Sequence, residues 1–311
     1  MELHEGLEAL PLDLAASVVT IGFFDGVHLG HQEVLRRTVR AGRERGVPSV
    51  AITFDRHPRE ILTPGREPRL LTTVERKAAA IAQQGMDALL VLAFTKVFSE
   101  WPAASFVDRV LVEGLHVVHV VVGGNFTFGH RAQGTFDTLV ELGPERGFTA
   151  ERVDLLELGG RPVSSTSIRE ALADGDLSWP FQAMGRRFVL DGTVVSGAGR
   201  GEALGFPTAN LETWPRLLLP GGGIYAGRAR VGGTERRAAI DVGTNPTFGS
   251  EPLHVESYLL DFEGDVVGRE MSVEFWARLR DEVRFDSAEE LATAIADDVR
   301  RTRELVPPVA G

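Results

Sequence analysis

The chain has 311 residues, with 33 Lys and Arg against 44 Asp and Glu, so its formal net charge at pH 7 is −11. This acidic balance supplies no broad basic face, so we expect no nucleic-acid partner, and the absence of cysteine excludes disulfides, thiolate metal ligands and thiol chemistry. Neither a signal peptide nor a run of about eighteen apolar residues is visible, so we expect a cytoplasmic protein with no membrane partner.

The first part of the chain alternates apolar runs with helical patterns. The predicted strands are the apolar runs at residues 17–21, 47–54, 88–94, 116–122 and 149–156. The predicted helices are at residues 32–45, 72–84, 102–112, 135–142 and 164–172, with capping boxes at Thr72–Glu75 and Ser167–Glu170. Apolar strands that alternate with helices are typical of a parallel sheet covered on both faces. We therefore predict an α/β domain over residues 1–185.

The pattern changes near residue 185, after Asp174–Asp176 and Trp179-Pro180, which are predicted to end the helical part. Short strands with glycine-rich turns are predicted at residues 188–195, 223–231, 236–242, 253–262 and 271–275. Such strands are typical of a small antiparallel β-barrel, which we assign to residues 186–311. Ser287, with Glu290 three residues later, predicts the cap of a final helix that ends near Glu304.

The stretch GFFDGVHLGHQ, residues 22–32, lies between the first strand and the first helix. In an open parallel sheet, ligands bind at the carboxyl ends of the strands, and a helix N-terminus offers free N–H groups to anions. His28 and His31 would add donors that stabilise charge on ATP phosphates during nucleotidyl transfer, and Gly30 would let the backbone approach them. A surface turn with two incidental histidines explains an isolated H-x-x-H better, and a metal pair is a third interpretation.

Three further segments fall at strand ends or helix starts on the same predicted edge of the sheet. Residues 164–166 carry hydroxyls and open a helix that can hold phosphates, and Arg169 can bind their β/γ end. Asn125 follows the fourth strand, and His57-Pro58 follows the second. Helix capping or turn formation explains each segment alone, but their common position favours a single ligand site.

The second domain begins with a glycine-rich segment, residues 196–211. The segment could fold over phosphates and offer its N–H groups to them. It is not a Walker loop, however, and a hairpin loop is the simpler explanation. Thr208 and Asn210 are two residues apart on an extended segment, so their side chains face the same side. Their oxygens suit Mg²⁺ bound jointly with nucleotide phosphates. The alternative is that these residues only form a turn and the start of a strand. Glu256 is either a salt-bridge partner at the rim or a general base for a hydroxyl nucleophile.

Taken together, these motifs resemble those of the bacterial bifunctional riboflavin kinase/FAD synthetases. GFFDGVHLGHQ, TFDRHPRE, GGNFTFG and SSTSIRE resemble the adenylyltransferase half, and GFPTAN, GGIYAG, VGTNPTFG, VESYLLDF and LRDEVRFDSAEEL resemble the kinase half. Three departures are Arg56, where proline is common, Gly124, where an acidic residue is usual, and residues 264–268, where the family usually has an aromatic residue before the glycine. The resemblance implies a nucleotidyltransferase-like, Rossmann-like sheet followed by a riboflavin kinase-like barrel.

The resemblance also implies the chemistry and the residues that carry it. Riboflavin and ATP would give FMN, and FMN and ATP would then give FAD and pyrophosphate, with Mg²⁺ in each step. Catalytic roles fall to His28, His31 and Glu256, and metal binding falls to Thr208 and Asn210. The residues expected to bind ATP or its phosphates are Gly22, Phe23, Asp25, Gly26, Gly30, Asn125, Ser164, Ser165, Thr166, Arg169, Gly199 and Gly201. The residues expected to bind the flavin are His57, Pro58, Arg280 and Phe285.

Two other functions are compatible with parts of the sequence. A nucleotidyltransferase acting on another phosphate monoester would leave the second domain without a role. A non-catalytic flavin or nucleotide sensor would be expected to lack Thr208, Asn210 and Glu256, which are all present. A weak or transient homo-oligomer is compatible with the sequence.

Overall fold

The computed structural model describes residues 1–9, 14–197, 201, 205–244 and 253–309. The chain forms two compact units, Met1–Ser165 and Thr166–Gly311. Two helices, α7 (Ser165–Ala173) and α8 (Ser178–Met184), lie in sequence between the parallel sheet and the barrel. The boundary at residue 185 stays a prediction. Among the described residues, no helix is long and apolar enough to span a membrane.

The first unit contains a six-stranded sheet in which all neighbouring strands are parallel. Its strands are β1 (Glu2–Glu5), β2 (Ser17–Ile21), β3 (Ser49–Phe54), β4 (Ala88–Leu92), β5 (Val117–Gly123) and β6 (Thr149–Val153). Their order is β1-β4-β3-β2-β5-β6, and a short antiparallel pair, β7 (Glu157–Leu158) and β8 (Arg161–Pro162), follows. The predicted parallel α/β fold is confirmed. The sequence missed β1, because three of its four residues are exposed and form no apolar run.

Helices cover both faces of this sheet. They are α1 (Leu29–Arg45), α2 (Arg59–Leu62), α3 (Val74–Ala82), α4 (Lys96–Ser99), α5 (Ala103–Phe106, continued by a π-helical stretch at Val107–Gly114) and α6 (Phe136–Arg146). Neighbouring strand residues point to opposite faces, so Val19, Val50 and Val120 pack in one buried cluster while Val18 and Val121 pack in another. This is the two-sided burial that the apolar runs predicted.

The predicted cap of α3 is wrong by one residue. Thr73, not Thr72, caps the helix and accepts from the N–H of Arg76 at 3.2 Å. The Thr72 hydroxyl is used elsewhere, since it donates to the Asp25 carboxylate at 3.3 Å. The Thr72 hydroxyl thus contacts the buried carboxylate of a distant loop, and the next residue caps the helix.

The predicted capping box at Ser167–Glu170 is also wrong. α7 begins at Ser165, so Ser167 lies inside the helix, where it is buried and accepts from the Trp179 indole N–H at 3.3 Å. Trp179 and Pro180 do not end the helical part, because both belong to α8. Proline is compatible with the first turn of a helix, so the Trp179-Pro180 pair does not stop the helical part.

The second unit contains a closed six-stranded barrel in the order β10-β13-β12-β11-β14-β9. Its strands are β9 (Phe188–Val195), β10 (Thr208–Thr213), β11 (Gly223–Val231), β12 (Thr234–Gly243), β13 (His254–Leu259) and β14 (Glu270–Arg280). All their pairings are antiparallel, as predicted. A final helix, α9 (Ala288–Leu305), packs against β11, β12 and β14. Its predicted cap is confirmed, since Ser287 accepts from the N–H of Glu290 at 3.2 Å.

Candidate active sites

The strand order fixes where a ligand site can form in the first unit. From β2 the chain moves to β3 and β4 on one side, and it then returns to β5 on the other side of β2. In open parallel sheets, ligands bind outside the carboxyl ends of the strands at such a reversal of order. The segments that follow β2 and β5 are residues 22–32 and Gly124-Asn125. The fold therefore brings together two motifs that the sequence singled out separately.

The two histidines meet at the start of α1. The helix begins at Leu29, three residues before the predicted start, and His28 is its N-cap. His28 Nδ1 accepts from the N–H of His31 at 3.3 Å, and the two rings stack with their centroids 3.6 Å apart. Because Nδ1 accepts, the proton of a neutral His28 ring is on Nε2. A Cβ atom at Gly30 would lie 3.2 Å from the His28 ring, so glycine makes room for this fold-back.

The loop before the helix has an unusual backbone that several contacts hold. Phe24 and Val27 have left-handed φ values of 53° and 37°, a conformation that costs energy for such residues and persists where the surroundings impose it. The Asp25 carboxylate accepts from the N–H groups of Leu71 and Thr72 at 3.0 and 3.2 Å. The Ser165 hydroxyl donates to the Asp25 carbonyl at 2.9 Å. Asp25 and Ser165, both expected to bind phosphate, thus have defined partners within the fold.

The remaining candidates of the adenylyltransferase motif have varied surroundings. Phe23 contacts the edge of the His57 ring at a centroid distance of 4.8 Å. His57 Nδ1 accepts from the N–H of Arg59 at 3.1 Å. Asn125 is exposed just after β5, and Thr166 is exposed in α7.

Packing explains the two glycines of the loop. A Cβ atom at Gly22 would lie 2.9 Å from the Phe24 ring, and a Cβ atom at Gly26 would lie 2.7 Å from Leu71. Ser164 precedes α7, and Arg169 lies within it.

The same unit contains an aromatic cavity of about 400 Å³ that the sequence did not predict. It is lined mainly by the residues Ile21, Phe54, Pro58, Phe94, Phe98, Trp101, Phe106, Phe126 and Phe128. Phe126 and Phe128 stack with an interplanar angle of 14°. Its rim includes Arg131 and Ala132, both with left-handed φ values of 52° and 56°. A planar apolar ligand would fit such a lining.

The barrel contains the second site, a cavity of about 290 Å³. Strand register places Asn210 opposite Glu256 and Glu256 opposite Asp241, so three polar side chains form a row across β10, β13 and β12. Thr208 lies two residues before Asn210 on the same face. All four line the cavity. The predicted metal ligands and the predicted base are therefore in one pocket.

Glu256 is held by two neighbours within this pocket. The Thr208 hydroxyl donates to its Oε2 at 2.9 Å, and His254 Nε2 lies 3.4 Å from its Oε1. Asp241 is a further acid beside it, and its buried Oδ1 has no hydrogen-bond partner among the described residues. Burial, reinforced by the charges of Glu282 and Glu256, raises the pKa of Asp241 to about 7. The sequence motifs single out Glu256 as a candidate but not its cross-strand neighbour Asp241, which only the register of β12 against β13 reveals.

The two predicted flavin contacts of the barrel have different surroundings. The Arg280 guanidinium binds the buried carboxylate of Asp298 in α9, with Nη2 donating at 2.8 Å and Nε at 3.1 Å. It also lies 5.6 Å from the ring centroid of Phe285. Arg280 and Phe285 line the barrel cavity together with Gly201, whereas Gly199 lies outside the described residues. Arg280 thus joins β14 to α9 at the wall of the pocket.

Comparisons with known proteins match both units. The FAD synthetase family model matches residues 11–167, and the riboflavin kinase family model matches residues 184–306. A bifunctional riboflavin kinase/FMN adenylyltransferase of Pseudomonas fluorescens is 41% identical over 311 residues, which cover 100% of this chain and 99% of that protein. This chain belongs to the bifunctional riboflavin kinase/FMN adenylyltransferase family. The resemblance read from the motifs is confirmed.

Other members of this family match over nearly the same length. Those of Listeria monocytogenes and Bacillus subtilis are 36% and 35% identical, covering 92% and 91% of this chain and 91% and 90% of their own. A crystal structure described as a macrolide-efflux protein from Streptococcus pneumoniae is 28% identical, with a TM-score of 0.87, and covers 97% of this chain and 99% of that one. Its description concerns that protein, and the likeness supports the shared fold of the riboflavin kinase/FMN adenylyltransferase chain.

Proposed function

We propose that the barrel phosphorylates riboflavin and that the parallel-sheet unit adenylylates the resulting FMN. The family matches support this division, because the riboflavin kinase model covers the barrel and the FAD synthetase model covers the sheet. The observation that carries the proposal is the row of Asn210, Glu256 and Asp241 in one pocket, which supplies a metal ligand and a base together. We place the boundary between the two functions at residue 185. Cytoplasmic location and weak self-association stay predictions of the sequence.

In the proposed kinase step, Glu256 takes the proton of the riboflavin 5′-hydroxyl while that oxygen attacks the γ-phosphorus of ATP and ADP leaves. The Thr208 hydroxyl gives its proton to a hydrogen bond with Glu256, which leaves its oxygen lone pairs able to bind a cation. Thr208 and Asn210 thus fit Mg²⁺, which prefers a few oxygen ligands together with nucleotide phosphates. When bound there, Mg²⁺ would stabilise charge on the transferred phosphoryl group.

In the proposed adenylylation step, a phosphate oxygen of FMN attacks the α-phosphorus of ATP and pyrophosphate leaves. This nucleophile is largely ionised at neutral pH, since the second pKa of a phosphate monoester is about 6, so alignment and charge stabilisation suffice. His28 and His31 at the N-terminus of α1 supply donors for the developing charge. Asn125, Ser164, Thr166 and Arg169 are proposed to bind the remaining phosphate oxygens.

The aromatic cavity is the proposed site of the FMN ring system during adenylylation. Its lining is apolar and flat-faced, as a three-ring isoalloxazine requires. Pro58, one of the two residues predicted to bind flavin in this unit, contributes to the lining, and His57 precedes it. The cavity begins at Ile21, the last residue of β2, so it adjoins the loop proposed to bind ATP phosphates.

The experiment that tests this function follows the products of the wild-type chain. Incubation with riboflavin and MgATP should give FMN and then FAD by chromatography, and incubation with FMN and MgATP should give FAD and pyrophosphate. A nucleotidyltransferase for another phosphate monoester would leave riboflavin unchanged. A flavin or nucleotide sensor would bind riboflavin or ATP without forming either product, and that result would refute the proposal.

A further inference from the structure

A lysine lies fully buried beneath the loop proposed to bind ATP phosphates. Lys77 projects from α3 and is 1% exposed. Its Nζ lies 3.9 Å from the centroid of the Phe23 ring and 3.3 Å from the Thr53 hydroxyl oxygen. Both of these direct partners are neutral, and burying a cation without a directly paired anion costs free energy.

The contacts of Lys77 lead to the backbone of the loop. Lys77 donates to the Thr53 hydroxyl, and the Thr53 hydroxyl donates to the Phe23 carbonyl at 3.1 Å. The ammonium group therefore holds Phe23 twice, through its ring and through its carbonyl oxygen. Phe23 directly precedes the strained Phe24, whose φ and ψ are 53° and 30°. A strained residue keeps its conformation only where neighbouring contacts impose it.

Two independent sets of contacts thus fix this loop. Leu71 and Thr72 hold the Asp25 carboxylate on one side, and Lys77 with Thr53 holds Phe23 on the other. The charged groups that face Lys77 are Asp25 in the loop and Asp55 after β3. Their attraction supports the ammonium form, but burial outweighs it and lowers the pKa of Lys77 to about 8.

An apolar side chain of similar length would fill this space at lower cost, because replacing buried charge by apolar groups is often stabilising. The presence of an ammonium group at this position therefore indicates a function that depends on its charge or on its hydrogen bond to Thr53. We propose that Lys77 is a positioning residue for adenylyl transfer, which holds the Phe23 backbone so that residues 22–28 present their groups to the ATP phosphates. Lys77 does not itself touch the substrate. This inference rests on the proposed location of adenylylation.

The test compares Lys77→Met, which keeps length and removes charge, with Thr53→Val, which removes only the hydroxyl link. Both should lower kcat for FAD formation from FMN by about 100-fold, the effect of a small misplacement of reacting groups, with little change in KM for ATP. Because both substitutions break the hydrogen bond between Lys77 and Thr53, their losses should be less than additive in the double variant. FMN formation from riboflavin by the same variants should be unchanged. Arg40→Met, which removes an exposed cation of α1, is the matched control.

A pH profile separates this role from a structural one. Wild-type FAD formation should fall above about pH 8 as Lys77 loses its proton, and Lys77→Arg should move that fall to higher pH because arginine stays charged. Wild-type kcat in Lys77→Met would overturn the inference, and so would equal loss of both activities with a lowered unfolding midpoint. If the wild-type chain itself formed no FAD from FMN, the proposed function would fail instead.

Discussion

His28 serves the fold and the proposed chemistry with one side chain. Its Nδ1 caps α1 by accepting from the N–H of His31, and its ring stacks on the His31 ring. The sequence predicted the histidine pair near a helix start but not that His28 is the cap, since Ser, Thr, Asp and Asn are the preferred caps. Within the motif, only Gly30 indicates that His28 folds back as a cap, because glycine leaves room for the His28 ring.

The variants His28→Asn and His28→Ala should separate these two roles. Asparagine is a good N-cap, so the Asn variant should keep the wild-type unfolding midpoint, whereas alanine should cost about 1 kcal/mol. Both variants lack the imidazole donor and should lower kcat for FAD formation by about 100-fold or more. Thermal unfolding and steady-state kinetics with FMN and ATP measure the two effects. Full FAD formation by His28→Asn would limit His28 to capping.

Lys77 gives the protein a defined pH dependence of stability. Burial lowers its pKa from 10.5 to about 8 in the folded chain, so between these values the unfolded chain binds the proton more tightly. The cost of burying the charge is therefore full below about pH 8, and the free energy of unfolding rises as the pH approaches 10.5, by about 3 kcal/mol from this group. Lys77→Met should lack this rise and should resist denaturant better than wild type at pH 7. Denaturant titrations at pH 7 and pH 10 measure this, and a Lys77→Met chain less stable at pH 7 would contradict it.

At the scale of secondary structure, the sequence predicted the buried strands well but predicted the exposed strand β1 and two helix caps poorly. The apolar runs located β2 to β6, and two predicted barrel strands, residues 188–195 and 223–231, have the observed bounds. β1 has no apolar run, and the sequence predicts β10 only as an extended segment. The caps at Thr72 and Ser167 failed because Asp25 and Trp179, distant in sequence, engage those hydroxyls. Local spacing carries no information on such partners.

The candidate sites were predicted in a similarly uneven way. Residues that stand in compact motifs, such as His28, Thr208 and Glu256, are candidates from the sequence alone, and their roles stay predictions. The aromatic cavity was missed, because its lining is spread from Ile21 to Ala132 and only the folded sheet brings these residues together. The sequence does not indicate Asp241 for the same reason, because Asp241 and Glu256 become neighbours only when β12 pairs with β13.

The attachment of α9 to the barrel should matter for the kinase more than for adenylylation. Asp298 is buried and pairs with Arg280, which lines the cavity proposed for the kinase step. Asp298→Asn leaves Arg280 short of its charge partner and should lower the free energy of unfolding by about 3 kcal/mol or more, with FMN formation reduced and FAD formation from FMN retained. Denaturant titration and both assays measure this.

A neighbouring residue provides the control for this prediction. Asp297 lies on the same helix but pairs with Arg300 at the surface, where both side chains are more than half exposed. Asp297→Asn should change stability by less than about 1 kcal/mol and leave both activities intact. Equal effects of the two substitutions would show that the buried pair has no special role at the kinase pocket.

At the scale of the whole molecule, the net negative charge of the chain repels anionic substrates. The chain carries a formal charge of −11, while ATP and FMN are anions, so attraction has to come from local groups. In the first unit the proposed groups are the N-terminus of α1, the two histidines and neighbouring N–H groups. In the second unit the pocket contains Asp241, Glu256 and Glu282, so a cation delivered with ATP would balance their charge.

The central claim is that one chain has two independent sites that act in sequence on the flavin. The most direct test mixes two variants, His28→Ala and Glu256→Gln, and follows riboflavin with MgATP by chromatography. Alone, His28→Ala should stop at FMN and Glu256→Gln should leave riboflavin unchanged, whereas the mixture should form FAD because FMN made by one variant is adenylylated by the other. A mixture of folded variants that forms no FAD, or either variant losing both activities, would contradict the account.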